Sequence, residues 1–586
     1  MIKSFISYSL FMAILLCFTG YKISAQHTHS KVADNIFNSS INGMYDYIVV
    51  LKNQADVSSA RDIHGKENKA SYVFQKLKDQ SDKSQKNIVN YCKQNNLKYQ
   101  SFYLINALQI YSPIEDVLYL ASLDEVRFIY NNSPMRMLDG EMDRSQPSVV
   151  SRDVIPEWGI RMIKADSVWR LGYNGQGVVV GGQDTGYSWE VNPLKNKYRG
   201  WDGTVVDHNY NWHDAIHEKH FLNFDSLNPC GYSIRVPCDD SNHGTHTMGT
   251  MVGEDEENKI GVAPGARWVG CRNMERGWGK PSTYIECFEW FVAPTDTLGL
   301  NPDPSKGPHV IANSWGCPPE EGCDTTNFSL MENAVINLKA AGTVVVVSAG
   351  NDGPRCESIE NPASIFEASF TVGATRSNDT LWNGSSRGLV TVDHSNRMKP
   401  NVTAPGANVR SVVKDGSFSN YTGTSMAGPH VVGLVALMIS ANPKLAGEVD
   451  AIEDIIEASA VPKFHDTECS GISDVIPNPV YGYGRVDALR AVELSLQWIN
   501  TGVSENDGNV KAIYPNPTTG LVNVELSTEH PSSWQVFNIS GRLIKSGMAP
   551  SYGIFDVNFS DQENGMYILV VNNEKSIQAT KIIVSH

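Results

Sequence analysis

Ser425 stands in Thr422-Gly423-Thr424-Ser425-Met426-Ala427-Gly428-Pro429-His430, directly before the apolar run 431–438. That run is rich in Ala, Leu and Met and long enough for a buried helix, which puts Ser425 at a helix N-terminus. Unpaired backbone N–H groups and the positive end of the helix dipole would stabilise negative charge developing beside the hydroxyl. A nucleophile works at such an address, but an ordinary N-cap serine occupies the same one, so this motif alone leaves the two readings level. A serine nucleophile also needs a base to take its proton and a third group to orient that base. His243, in Asp239-Asp240-Ser241-Asn242-His243-Gly244-Thr245-His246, is the candidate base, and Asp184, in Gln183-Asp184-Thr185-Gly186, the candidate orienter. A lone His is usually structural, and a lone Asp after a strand is usually a turn residue. Three such residues in glycine-flanked loops of one region favour the catalytic reading.

The elements that must position them are legible in outline. Three apolar runs, 178–180, 309–312 and 344–347, each give way at once to polar or small residues: Gln183-Asp184-Thr185-Gly186, Asn313-Ser314-Trp315-Gly316 and Ser348-Ala349-Gly350-Asn351. Ligands of open α/β sheets gather at the carboxyl ends of strands, so these loops are expected to meet. Alternating apolar runs, helical stretches and Gly/Pro-rich loops predict an α/β fold, a mostly parallel sheet with helices on both faces. Residues 247–253 predict another buried helix. Upstream, a strand at 45–52, a helical stretch at about 66–95 and strands near 104–111 and 126–130 predict a small α+β unit, followed by a polar, structureless linker at 137–150. Downstream, a second linker, 499–511, leads into short β-like runs around 521–526, 534–538, 567–571 and 582–584, which predict a small β-sandwich.

At 586 residues the chain is too long for one core. Acidic residues number 64 against 48 Lys plus Arg, a net charge of -16 that argues against nucleic acid and anionic membrane surfaces as partners. Lys3, the apolar segment 5–18 and Ile23-Ser24-Ala25 read as a signal peptide over 1–25, hence an exported protein. Of the ten Cys, Cys17 falls in the signal and Cys92 lies early; the even number of the other eight favours disulfides over zinc in an exported protein, and the close pairs Cys230/Cys238 and Cys317/Cys323 are suited to clip loops. His208, His213, His217 and His220 crowd together with Asp214 and Glu218, but match no zinc spacing and read as a polar loop.

Four blocks, Asp184-Thr185-Gly186, His243-Gly244-Thr245-His246, Ser348-Ala349-Gly350-Asn351 and Gly423-Thr424-Ser425-Met426-Ala427, resemble those of the subtilisin-like serine peptidases, the subtilases, in the same Asp, His, Ser order. Trp158-Gly159-Ile160, residues 261–266 and residues 399–406 extend the likeness across 151–498. Cys271-Arg272-Asn273-Met274 and residues 313–319 resemble the bacillopeptidase F-like branch. The resemblance implies a subtilisin-like catalytic domain in which Ser425 attacks the scissile carbonyl, His243 is general base and then acid, Asp184 orients His243, and Asn351 donates to the oxyanion. It implies that Ser314, Trp315 and Gly316 offer backbone groups to an extended substrate, and that Glu360 on the floor of the specificity pocket favours basic side chains. His246 and His430 match family positions outside the catalytic one, for which packing or loop hydrogen bonding is expected. Residues 45–136 resemble an inhibitor-like propeptide, and 512–586 resemble the C-terminal sorting domain of type IX secretion substrates. The implied partners are protein or peptide substrates, the chain's own propeptide and the type IX secretion machinery; the implied destination is the cell surface or the medium. No metal site is assigned; no cofactor is required, and calcium is possible. A catalytically inactive subtilase-like surface binding protein is the alternative from another class. A serine-carboxyl peptidase would lack the His-Gly-Thr-His block.

Overall fold

The computed structural model describes residues 30–132, 135–137, 141–143, 155–219, 228–316, 328–464, 469, 475–498, 510–516, 518–526, 532–538, 542–550, 553–572 and 577–584. The expected signal peptide, His220, the Cys317/Cys323 pair and most of the second linker lie outside them. The chain forms two compact units, 1–496 and 497–586.

The first unit opens with an antiparallel four-stranded sheet, order β2-β3-β1-β4, from β1 (Tyr45–Leu51), β2 (Lys98–Phe102), β3 (Ala107–Ser112) and β4 (Val126–Asn131). The helical stretch divides into helices Lys66–Ser84 and Lys86–Gln94, and a third helix, Ile114–Ser122, joins β3 to β4. Sequence reading missed β2 because Lys98-Tyr99-Gln100-Ser101 carries little apolar pattern; long-range pairing with β3, not local propensity, makes it a strand.

The linker expected to be structureless is not. Within and beside it, β5 (Met135–Met137) and β6 (Glu141–Asp143) each join a sheet of the following domain. An extended chain with no core of its own satisfies its backbone groups by adding to edges already there.

That domain is built on a seven-stranded sheet, order β15-β14-β13-β11-β7-β9-β8. Its strands are β7 (Val179–Asp184), β8 (Trp212–Asp214), β9 (Arg267–Arg272), β11 (Val310–Asn313), β13 (Val344–Ser348), β14 (Phe370–Thr375) and β15 (Val402–Pro405), and every pairing is parallel. The Val344–Ser348 strand is buried along its whole length, as a strand covered on both faces must be. Neighbouring glycines of β7 show the two covers. A Cβ on Gly181 would meet Phe291 of the Pro281–Val292 helix, and one on Gly182 would meet Met248 of the His243–Val252 helix. Successive side chains of a strand point to opposite faces, so these helices lie on opposite sides of the sheet. The fold expectation therefore holds: a mostly parallel sheet with helices on both faces. Three disulfides occur among the described residues, Cys230–Cys238, Cys271–Cys287 and Cys356–Cys469. Only the first was legible as a close pair.

The second unit carries two antiparallel sheets, β18-β19-β22 and β21-β20-β23-β24, with β18 (Val510–Tyr514), β19 (Leu521–Leu526), β20 (Ser532–Asn538), β21 (Leu543–Ala549), β22 (Gly553–Asn558), β23 (Gly565–Asn572) and β24 (Ile577–Val584). Val522, Val524, Val536, Val557, Leu569, Val571 and Ile582 form one core, the expected small sandwich.

Candidate active site

The three loops expected to meet do so. β7, β11 and β13 are neighbours, Gln183 donates to the Asn313 amide oxygen at 2.6 Å, and the hydroxyls of Ser314 and Ser348 lie 3.3 Å apart. Asp184 ends β7, and both of its carboxylate oxygens lie 2.9 Å from His243 Nδ1. A carboxylate can only accept, so Nδ1 carries the proton and Nε2 is the basic nitrogen. The Thr185 N–H donates to Asp184 Oδ1 at 2.7 Å and fixes the carboxylate from the other side. Asp184 and His243 are both buried. The glycines of the two motifs let these loops close. Gly186 has φ +107°, and a Cβ there would sit 1.8 Å from the Cys238 carbonyl; a Cβ on Gly244 would sit 2.1 Å from that of Gly186.

Ser425 lies in the first turn of the helix Thr424–Ala441, whose N-cap is Gly423, with no side-chain cap bond. Its Oγ is buried without a hydrogen-bond partner among the described residues. A capping serine would have spent that oxygen on a backbone N–H. Pro429, four residues on, has no N–H for the Ser425 carbonyl, which the Ser314 hydroxyl approaches instead at 3.5 Å. The Asn351 amide oxygen accepts from Thr424 N at 3.0 Å and Thr424 Oγ1 at 2.9 Å. These two bonds hold the Asn351 side chain against the start of the Ser425 helix.

A slot beside this cluster is filled by the chain itself. β5 runs antiparallel to both β12 (Trp315–Gly316) and β10 (Trp278–Gly279), and β6 pairs with β17 (Phe418–Thr422), the strand that leads to Ser425. The Trp315 indole is buried with its ring centroid 4.0 Å from that of Tyr284, so it is the β12 backbone that meets β5.

The family model described as the subtilase family matches residues 175–484, more than half of the chain. This chain belongs to the subtilase family. Bacillopeptidase F of Bacillus subtilis (strain 168) is 34% identical over 463 residues, 75% of this chain but 30% of that protein, so this subtilase spans under a third of that relative's length. Subtilisin DY of Bacillus licheniformis is 29% identical over 293 residues, 49% of this chain and 86% of that one. In fold, the subtilase is similar to the epidermin leader peptide processing serine protease of Staphylococcus aureus, with a TM-score of 0.55 at 16% identity over 78% of this chain and all of that chain. Residues 512–585 match the secretion system C-terminal sorting domain, which marks the subtilase for export.

The other residues singled out in the sequence have the following surroundings. His246 Nε2 lies 3.1 Å from the Val409 and Ser419 carbonyls under the Tyr421 ring, and His430 Nδ1 lies 2.9 Å from the Met426 carbonyl; burial lowers their pKa values to about 3 and about 4. Both are neutral packing residues. The Glu360 carboxylate is gripped on both oxygens by Arg355 at 2.9 and 2.8 Å, a neutralised pair rather than a bare charge for a basic side chain. The His-rich stretch is taken up by protein partners: His208 by Tyr198, His213 and His217 by Glu286, Asp214 by Arg272, and Glu218 by Lys98 and Lys280. Burial alone would raise Glu286, but the hydrogen bonds from His213 and His217 hold it well below its ordinary value. No group of three or more His, Cys, Asp or Glu among the described residues is placed to hold a metal ion.

Sequence reading missed Asp239 and Arg272. Asp239 accepts from Thr185 Oγ1 at 2.9 Å, Ser241 N at 2.9 Å and Thr245 N at 3.0 Å, sewing the Asp184 loop to the start of the His243 helix. Its signal was a second acidic residue beside Asp240 just before His243. Arg272 was signalled by a charge at the end of the apolar strand Trp268-Val269-Gly270-Cys271.

Proposed function

We propose that this subtilase is a secreted serine endopeptidase that hydrolyses peptide bonds of proteins through an acyl-enzyme and is made as a self-inhibited precursor. The observation that carries the reading is the paired contact of Asp184 with His243 Nδ1 while Ser425 presents an uncommitted buried hydroxyl at a helix N-terminus. Ser425 attacks, His243 takes its proton and later returns one to the leaving amine, and Asp184 holds the tautomer and steadies the imidazolium. The Ser425 backbone N–H and the Asn351 side chain receive the oxyanion. Asn351→Leu is expected to lower kcat by about 10²- to 10³-fold with KM little changed, the loss known for this donor in subtilisin; an unchanged kcat removes the assignment. The decisive assay is labelling by a serine-directed fluorophosphonate together with casein hydrolysis. A folded, processed protein that does neither is the inactive binding protein instead.

Residues 1–25 are assigned as the signal peptide, 45–136 as the inhibitor-like propeptide, 137–150 as the segment cut in maturation, 151–498 as the catalytic domain and 512–586 as the sorting domain removed at the surface. Support for self-inhibition comes from β5, which occupies the edge between β10 and β12 as a substrate strand would. The N-terminal domain also covers the Pro281–Val292 helix. Leu104 N donates to Glu289 Oε2 at 2.8 Å, Tyr103 Oη to the Glu289 carbonyl at 2.8 Å, and Gln100 to Glu286 at 2.7 Å.

This cover makes inhibition depend on pH. Burial pushes the Glu289 carboxyl from its ordinary 4.5 up to about 8. A group whose pKa is raised in the complex favours the complex while protonated, so its contribution is complete below about 4.5 and is lost as pH rises to about 8. The cut propeptide is therefore expected to dissociate faster as pH rises from 5 to 8, by at most about tenfold per pH unit for one proton. Glu289→Gln should flatten the dependence, read as the lag before full activity at each pH; an equally steep lag in the variant contradicts it.

A further inference from the structure

We propose that Arg272 is a positioning residue for the Asp184–His243 pair, acting through the loop that delivers His243; this rests on the peptidase reading above. The Arg272 side chain is fully buried at the end of β9. A guanidinium there is costly unless it is fully engaged. Its nitrogens reach three separate segments. Nε and Nη2 clamp Asp214 of β8 at 2.9 and 3.0 Å, Nη2 also donates to the Gly231 carbonyl at 2.5 Å, and Nη1 faces Asp240 at 3.5 Å. Gly231 lies in the loop closed by Cys230–Cys238, and Asp240 lies three residues before His243.

The same residue holds Asp184 by its main chain. Arg272 is the ladder partner of Asp184 in β7 and of Asp214 in β8, and Asn273 N donates to the Asp184 carbonyl at 3.1 Å. One dipeptide thus fixes the strand end that carries the orienting carboxylate and, through a side chain, the loop that carries the base. The rest of that loop repeats the arrangement: Asp240 Oδ1 accepts from Arg276 N at 2.9 Å, and Asp240 N donates to the Thr185 carbonyl at 3.3 Å. Burial pushes Asp240 up to about 7 against the pull of Arg272, so the loop carboxylate depends on that guanidinium for its charge. Asp214, also buried, takes Ile216 N and Ile234 N in addition, so β8 and the disulfide loop are locked to the same strut.

Two conservative variants test the idea. Arg272→Lys keeps the charge but loses the planar fork, and Asp240→Asn keeps an acceptor for Arg276 N but loses the charge. Both are compared with wild type and Ser425→Ala, with rates normalised to titrated active sites. We expect kcat to fall about 10- to 100-fold with KM unchanged, the cost of a displacement of about 1 Å at a catalytic group. The acid limb of the kcat/KM profile should move to lower pH, because a loosened Asp184 contact stabilises the His243 imidazolium less. A merely structural strut would lower the titrated fraction and leave kcat per site and the acid limb alone. An active wild type with both variants so unchanged overturns the inference alone. A wild type that hydrolyses nothing overturns the reading beneath it and the inference together.

Discussion

Ser425→Ala is expected to leave the precursor uncut and to abolish both fluorophosphonate labelling and casein hydrolysis. The drop in kcat should be on the order of 10⁶-fold, the size established for the same nucleophile in subtilisin itself. The structure makes this variant unusually clean. The Ser425 hydroxyl has no hydrogen-bond partner among the described residues, so removing it strands no buried donor or acceptor. The helix start does not depend on it: Gly423 holds the N-cap position, and Thr424 N donates to the Asn351 amide oxygen at 3.0 Å. Unfolding midpoints of the two proteins should therefore coincide, and lost activity is lost chemistry. Wild-type precursor should acquire a new N-terminus in or near 137–150, read by mass spectrometry, whereas Ser425→Ala should remain one uncut chain across that segment. Equal processing and equal casein hydrolysis in both proteins would end the mechanism.

Asp184→Asn is expected to cost about 10⁴-fold in kcat with KM nearly unchanged. The Thr185 N–H, 2.7 Å from Asp184 Oδ1, decides how the replacement amide turns. Its oxygen must accept that N–H, which aims its NH₂ at His243 Nδ1. Two donors cannot face each other, so the imidazole proton moves to Nε2 and the nitrogen meant to receive the Ser425 proton can no longer accept it. Retention of the Thr185 bond should keep the fold, which a thermal melt checks. Wild-type kcat in Asp184→Asn would show that the Asp184 charge and its acceptor geometry do not matter.

The elements with a strong local pattern were readable from the chain. The β-branched run at Val344–Ser348 and the Ala/Leu/Met run after Ser425 have no other stable place than a sheet centre and a buried helix. β5 and β6 were not readable, because short polar segments become strands only when an open edge is presented to them. The Cys271–Cys287 and Cys356–Cys469 pairings were hidden for a similar reason, since spacings of 16 and 113 residues say nothing about proximity.

By itself the sequence singled out the candidates for the chemistry: Asp184, His243, Asn351 and Ser425 are marked by their glycine-flanked motifs and their order. Those glycines record loops that must pass close to one another. The choice between cap and free hydroxyl at Ser425 was made by tertiary structure, through the N-cap at Gly423. So was the neutralisation of Glu360 by Arg355, and the burial of Arg272 against Asp214 and Asp240. A residue type fixes what a group can donate or accept. Whether it is already spoken for depends on partners both near and far along the chain, five positions away for Glu360 and Arg355 and 58 for Arg272 and Asp214, which only the folded chain brings into contact.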